Sequence, residues 1–115
     1  MDKELKEKMG NKWLIFNKIH GLILSISPKI KYRIFPIYIR YCSGEDIVAL
    51  VYFKGKFTSD SGLDVGFAFK EKPKNSGLVK ASHMKYPGIN YSVKINRQDK
   101  ITKELIKTIK SITCQ

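Results

Sequence analysis

The stretch that most constrains this fold is a run of seven apolar residues at 47–53. A short apolar run that is bounded by turn residues and contains β-branched side chains is typical of a strand covered on both faces of a sheet. After a polar turn, alternation over 63–69 predicts a second strand. One face of this second strand carries large apolar side chains, and the other carries small or acidic residues, namely Asp64, Gly66 and Ala68. We therefore predict that residues 46–69 form the centre of a β-sheet.

Helical periodicity marks both ends of the chain. Apolar residues recur at steps of three and four over 2–26, and Pro28 ends this predicted helix. Gly10 and Asn11 weaken its middle, and Asn11 could instead cap a shorter helix from Lys12 onward. Near the other end, Asp99 is predicted to cap a helix whose apolar residues follow the same steps. Alternating segments over 30–42 and 91–95 add strands on either side of the central pair.

The order of elements is helix, strands and helix, in a single domain over residues 1–115. Connections of hairpin length favour a largely antiparallel sheet. We predict an α+β fold in which four to five strands form the sheet and the N-terminal and C-terminal helices pack on one face of it. A long polar connection over 70–88 joins the middle of this sheet to the last strand.

The charge balance leaves two interpretations open. The formal net charge is +12, from 22 basic and 10 acidic side chains, which is typical of a protein with an anionic partner. Of the basic residues, however, 19 are Lys and three are Arg, and a Lys-rich, Ile-rich composition also arises from an AT-rich genome. No apolar run approaches the roughly 20 residues that span a bilayer, and the first residues lack the apolar core of a signal peptide. We expect a cytoplasmic protein that does not enter a membrane.

Candidate ligand-binding residues follow the central strand. Asp60 and Asp64 are two carboxylates four residues apart, a pattern that suits a cation site or an acid–base pair, although Asp and Ser also form ordinary turns. The small side chain of Gly66 leaves room on its strand face for a packed element or for a ligand. His83 lies in the long connection, where it could serve as a base if a nucleophile lay beside it. These four residues are our candidate ligand site, and the sequence indicates no catalytic or metal motif.

Basic and aromatic residues are adjacent at Lys85 and Tyr86 of the long connection, and they interleave in the segment 30–42, at Tyr32, Arg33, Tyr38 and Arg40. On an exposed sheet face, aromatic rings stack on bases while basic side chains bind phosphates. The same tyrosines also suit half-buried strand positions. Joint exposure of these four side chains, together with Tyr41, would favour a nucleic-acid interface.

Several features occur in the order known from one family. They are the proline after the first helix (Pro28), the segment from Tyr32 to Pro36, the apolar strand that ends at Lys54, the strand over 63–67 and the amphipathic C-terminal helix. Together they cover most of residues 12–112 and resemble the small bacterial YdhG-like domains of unknown function, which share a frataxin-like α+β fold.

The resemblance implies a non-enzymatic binding or accessory role, and an iron-chaperone role for some members. Two features depart from the family. Its histidine after the lysine of the central strand has no counterpart, since Gly55, Lys56 and Phe57 follow Lys54. The acids of the first helix alternate with lysines, whereas hard cations need clustered carboxylates. Our first hypothesis is a binding domain for an unidentified small ligand or protein partner, with no cofactor assigned, and our second is a basic nucleic-acid-associated module.

Overall fold

The structure, a computed structural model, describes residues 3–74 and 77–112. Its helices are α1 (Lys3–Met9), α2 (Trp13–Leu24) and α3 (Lys103–Lys110). Its strands are β1 (Ile30–Ile34), β2 (Tyr38–Ser43), β3 (Asp46–Tyr52), β4 (Leu63–Phe67), β5 (Val79–Lys80) and β6 (Tyr91–Ile95). Short 3₁₀ turns lie at Gly10–Lys12, Ser82–Met84 and Gln98–Lys100. Within the described ranges, no helix has the length and apolar character that a bilayer crossing requires.

The strands form one sheet in the order β1-β2-β3-β4-β6-β5, and every neighbouring pair is antiparallel. Because β3 and β4 are its two middle strands, the prediction for residues 46–69 is confirmed. The predicted number of four to five strands is wrong, since the described residues form six. The pattern at 30–42 divides at Pro36 into β1 and β2, and the two residues of β5 are too few to show a periodicity of their own.

The helices and one face of the sheet enclose the main apolar core. Phe16, Ile19 and Ile23 of α2 and Ile109 of α3 are fully buried against side chains from the middle strands. Burying each such side chain contributes about 1.5–3 kcal/mol, so this layer supplies most of the apolar stabilisation. The prediction that the terminal helices share one face of the sheet agrees with this core.

The helix predicted over 2–26 divides into α1 and α2 where Gly10 and Asn11 weaken the pattern, and Gly10 has a φ of +54°. Asn11 is not the cap of the second helix, because α2 begins at Trp13 with Lys12 at its cap position. Asp2 lies outside the described residues. The C-terminal helix begins later than expected. Thr102, and not Asp99, is its cap, because the Thr102 Oγ1 accepts a hydrogen bond from the Leu105 N–H at 3.1 Å.

A loop covers the opposite face of the sheet. We call residues 81–90 the cover loop; the Ala81 N–H donates to the Asn90 carbonyl at 3.0 Å and so closes it. The Asn90 side chain then ties the loop to the end of β4 through two hydrogen bonds to the Phe69 backbone, at 2.9 and 2.7 Å. Beneath the loop lies a second, smaller apolar cluster of Leu50, Tyr52, Ala81, Met84 and Ile89. The central strand β3 is therefore covered on both faces, as its unbroken apolar run predicted.

Candidate functional site

The cover loop fills the space above Gly66. A Cβ atom at Gly66 would lie 2.6 Å from Cγ2 of Ile89 and 2.7 Å from Sδ of Met84, both closer than side chains approach one another. The small strand face that left room for a helix or a ligand is therefore occupied by the protein's own loop. Gly66 is a close-packing position, buried beneath the loop, and it presents no surface to a ligand.

The same loop brings His83 to Asp64. Asp64 is fully buried on β4, and its Oδ2 lies 2.8 Å from Nε2 of His83, which stands in the 3₁₀ turn of the loop. Burial raises the pKa of the Asp64 carboxyl, while the hydrogen bond with His83 acts against that rise. The His83 side chain is 35 % exposed, and its ring makes an edge contact with Phe57 at 5.2 Å. Two of the candidate ligand residues thus form a histidine–carboxylate pair that reaches the surface.

Two buried polar atoms beside this pair have no hydrogen-bond partner within the described residues, Oδ1 of Asp64 and Oγ of Ser92. Ser92 lies on β6 opposite Gly66, so it shares the sheet face of Asp64 on the neighbouring strand. Most buried polar side-chain atoms in proteins have a partner, and an unpartnered one calls for an explanation such as a bound water, an ion or a functional role. Two such atoms on adjacent strands favour this part of the molecule as a site.

His83 and Ser92 line a cleft of about 550 Å³ at the edge of the sheet. The cleft exists because β5 pairs with β6 only at Tyr91 and Ser92, which leaves the outer edge of residues 93–95 without a strand in the described part of the chain. Its lining includes polar residues of both charges and three apolar residues. The polar ones are His83, Ser92, Lys94, Asp99, Lys100, Thr102 and Glu104, and the apolar ones are Val79, Val93 and Leu105. A volume of this size lies within the range of small-molecule pockets.

Asp60 does not join Asp64. It lies in an exposed turn and lines a shallow hollow beside α1 with Lys8, Lys12 and Lys54. The nearly buried Lys12 donates from Nζ to the Phe53 carbonyl at 2.7 Å; burial lowers the pKa of its amine, and the charge of Asp60 counteracts that effect. The paired-carboxylate hypothesis is therefore unsupported. Residues 3–74 and 77–112 also contain no group of three or more His, Cys, Asp or Glu side chains that could hold a metal ion.

The four candidate nucleic-acid residues divide between the two faces. Tyr32 lies opposite Tyr41 on the helix side, and its ring contacts that of His20 at 4.8 Å. Tyr41 is fully buried and bonds through its hydroxyl to Nδ1 of His20 at 2.7 Å. Burial lowers the pKa of His20 to about 4, so this histidine is a neutral core residue. Tyr32 and Tyr41 therefore do not share a surface with the arginines.

Arg33, Tyr38 and Arg40 lie together on the loop side of the sheet, where Phe35 and Tyr86 join them. The ring of Phe35 stacks on that of Tyr38 at 4.7 Å, and both guanidinium groups lie over Phe35. Arg40 donates from Nη1 to the Tyr86 hydroxyl at 3.4 Å. We call these five residues the arginine–aromatic cluster.

The sequence offered some signal for the residues that we did not predict. Phe35 stands within the basic and aromatic segment, but the following Pro36 marked it as a break and not as part of a surface. Ser92 is a polar position in an alternating strand, which predicts solvent exposure and not burial. Tyr86 belongs to the basic and aromatic residues that the sequence indicated, but it meets Arg40 through the cover loop, which no local pattern predicts. Lys94 and Lys100 line the same cleft at the edge of the sheet, and no local pattern predicts that arrangement either.

Comparison of the chain with protein-family models, with curated proteins and with solved structures finds no match. The resemblance to YdhG-like domains therefore stays a prediction, and function must be argued from the geometry of the cleft and of the arginine–aromatic cluster.

Proposed function

We propose that this protein is a non-enzymatic binding domain whose cleft at the edge of β6 holds a small ligand with an apolar body and an anionic group, a carboxylate or a phosphate. The observation that carries the proposal is the pair of His83 and Asp64 at the cleft, next to the buried and unpartnered Oγ of Ser92. A hydroxyl in that position has a hydrogen bond to offer to a ligand.

The cleft supplies both parts of the recognition. Lys94 and Lys100 supply cations for the anionic group, while of the two acids in the same lining Asp99 is paired with Arg97 and Glu104 stands in the first turn of α3. The N-terminal end of α3, which carries the positive end of the helix dipole, borders the same cleft. Because Nε2 of His83 is engaged by Asp64, Nδ1 of the ring is left to donate to an anion when the imidazole is protonated. Val79, Val93 and Leu105 supply apolar contact for the rest of the ligand.

One observation favours binding over catalysis. A serine nucleophile needs a base within hydrogen-bond reach, whereas Oγ of Ser92 makes no such bond within the described residues. The role of Asp64 in this proposal is to position His83.

The YdhG-like, frataxin-like resemblance supports a binding or accessory role in the cytoplasm, and the proposal adopts that role. It does not extend to iron. The two carboxylates that could have formed a cation site, Asp60 and Asp64, lie in different surroundings, and the described carboxylates are not clustered as a hard cation requires.

The proposal is tested with three probes that share a phenyl ring, namely benzoate, phenyl phosphate and the neutral benzyl alcohol. A ligand at about ten times its Kd stabilises the native state by about 1.4 kcal/mol, which raises the melting temperature of a domain of this size by about 5–10 °C. We expect one of the two anionic probes to raise the melting temperature and the alcohol to leave it unchanged. Equal shifts from all three probes, or no shift from any, would refute the proposal.

Two charge variants locate the binding. Lys100→Gln removes a cation from the wall of the cleft and is expected to weaken probe binding several-fold, as measured by isothermal titration calorimetry. Glu104→Gln removes an acid from the same wall and is expected to tighten it. Changes of the same sign in both variants would place the probe elsewhere.

A further inference from the structure

Arginine is scarce in this chain, and its placement is therefore informative. Three of the 22 basic residues are Arg, and two of these three, Arg33 and Arg40, lie directly opposite each other on β1 and β2. The third, Arg97, forms an ion pair with Asp99 at 3.2 Å. A composition bias toward lysine does not explain why the arginines of the sheet face each other.

Like charges directly opposite each other on neighbouring strands destabilise a sheet. Neither Arg33 nor Arg40 forms an ion pair with a carboxylate in the described ranges, and so no acid offsets this repulsion there. Both side chains nevertheless lie beside the same ring, because their central guanidinium carbons are 5.2 and 5.1 Å from the centre of Phe35. Directly opposite residues of an antiparallel pair have Cβ atoms about 4.5–5.5 Å apart, so an anion between the two side chains would offset their repulsion.

Aromatic rings surround this pair of charges on an open surface. The rings of Phe35 and Tyr38 stack at an interplanar angle of 14°, and Tyr86 meets Tyr38 edge-on at 6.1 Å. All three aromatic residues are half-buried, so part of each ring faces solvent. Lys31 shares the face of Arg33 on β1 and is exposed, which extends the positive charge along the strand.

We propose that the arginine–aromatic cluster binds single-stranded nucleic acid, with a backbone phosphate held between Arg33 and Arg40 and bases stacked on the exposed parts of Tyr38 and Tyr86. Guanidinium groups bind phosphate oxygens through paired hydrogen bonds, and aromatic faces accept any base. Lys31 and Arg33 are exposed along the edge strand β1, and this row of charges suits a chain of phosphates better than a single small anion. This site is separate from the cleft of the proposed function.

The test measures fluorescence anisotropy of a labelled 12-nucleotide oligothymidylate at 50 mM NaCl. The double variant Arg33→Gln/Arg40→Gln is expected to weaken binding at least tenfold. It is also expected to lower the magnitude of the slope of log K against log salt by about 0.7, because one phosphate contact of a single strand contributes about that much. The matched control is Lys107→Gln/Lys110→Gln, which removes the same charge from exposed positions of α3 and is expected to change affinity less than twofold.

A second double variant tests whether binding depends on the paired hydrogen bonds of the guanidinium groups or on positive charge alone. Arg33→Lys/Arg40→Lys keeps the net charge and is expected to weaken binding about fivefold or more, because lysine cannot make the planar paired contact. Thermal melts confirm that each variant is folded. A Lys/Lys variant that binds as tightly as the wild type would overturn the proposal, as would an equal loss in the α3 control.

Competition defines the partner. We expect that a duplex of the same length binds at least tenfold more weakly and that 10 mM inorganic phosphate or an acidic peptide does not displace the oligonucleotide. Equal binding of the duplex would show attraction to charge without base stacking. Displacement by phosphate or by the peptide would assign the arginines to those ligands, and no binding by the wild type would refute the site. Lys100→Gln is expected to leave oligonucleotide affinity unchanged, which keeps this test independent of the cleft.

Discussion

The two faces of the sheet use polar groups in opposite ways. On the helix side, the buried ring of His20 is bonded to the Tyr41 hydroxyl at 2.7 Å and surrounded by other aromatic rings. On the loop side, the buried carboxylate of Asp64 is bonded to His83 through one oxygen only, and the hydroxyl of Ser92 is unpartnered within the described residues. One face therefore satisfies its polar groups internally, whereas the other keeps hydrogen-bonding capacity that a ligand could use.

The elements that cover the two faces also differ, because the helix side has a much larger apolar cover than the loop side. The helix side is closed by three helices and a large apolar core, while the loop side is closed by ten residues over a cluster of five buried side chains. Elements with fewer buried apolar contacts open at lower free energy. We infer that the helix side sets the stability of the domain and that the loop side carries its binding functions.

The largest effect is expected from a core residue of the helix side. Phe16→Ala leaves a cavity beneath α2, because Phe16 is fully buried, and should lower the free energy of unfolding by about 3–5 kcal/mol. Urea unfolding monitored by circular dichroism measures this change. Leu14→Ala, on the same helix but 64 % exposed, is the control and should change the free energy by no more than about 0.5 kcal/mol. Similar losses in the two variants would contradict the assignment of the core.

Low pH should lower the free energy of unfolding, because His20 is buried on the helix side and would have to become protonated. The pKa of His20 is about 4 in the folded state, below its ordinary value near 6.5, so the unfolded chain binds a proton that the folded chain does not. The contribution of His20 is complete above about pH 6.5 and is lost as the pH falls toward 4, by up to about 3 kcal/mol. Urea unfolding at pH 7.5 and pH 4.5 measures this loss.

Two variants separate the histidine from the carboxylate in that pH dependence. His20→Gln can still bond to the Tyr41 hydroxyl but does not titrate, so its stability should fall less between pH 7.5 and pH 4.5. Asp64 acts in the opposite sense, because its raised pKa favours the neutral acid in the folded state and lowering the pH relieves the buried charge. Asp64→Asn should therefore increase the loss of stability between pH 7.5 and pH 4.5. A smaller loss than in the wild type would contradict the raised pKa of Asp64.

On the loop side, substitution at Gly66 tests the close packing of the cover loop. Gly66→Ala places a methyl group against Ile89 and Met84 and should lower the free energy of unfolding by about 1–3 kcal/mol. Gly21→Ala is the matched control, because a Cβ atom there meets nothing within 4 Å and alanine favours the helix by about 1 kcal/mol. The melting temperature should fall for Gly66→Ala and rise for Gly21→Ala. An unchanged melting temperature for Gly66→Ala would show that the cover loop shifts to accommodate the methyl group.

Gly66 also shows what the sequence could and could not predict. The apolar run at 47–53 predicted a doubly covered central strand, and the small side chains of β4 predicted a close approach, because both follow from local patterns of size and polarity. The identity of the covering element did not follow. The cover loop acts through long-range contacts, such as that between Asn90 and Phe69, which no local periodicity reports.

In the candidate sites, too, some features follow from local sequence patterns and others depend on long-range contacts. The sequence singled out Asp64 and His83 as unusual polar residues, but their contact joins β4 to a loop 19 residues further along the chain. The structure places Arg33 and Arg40 on one face of the sheet, opposite each other on β1 and β2, and strand alternation puts Arg33 on the other side from its neighbour Tyr32. Tyr32 falls on the other face by that same alternation, so the interleaved pattern of charges and rings grouped residues that strand geometry separates.

The smallest effect on stability is expected at Ser92, and its sign distinguishes the two faces. Because Oγ of Ser92 is buried without a partner in the described residues, Ser92→Ala should raise the free energy of unfolding by up to about 1 kcal/mol. Thr102→Ala removes a hydroxyl that accepts from the Leu105 N–H and should cost about 0.5–2 kcal/mol. Denaturant unfolding of both variants, beside calorimetry with the anionic probe, should show Ser92→Ala more stable but weaker in binding. A hydroxyl that is kept at the cost of stability is one that serves a ligand, and a variant that loses stability would show instead that Ser92 is part of the packing.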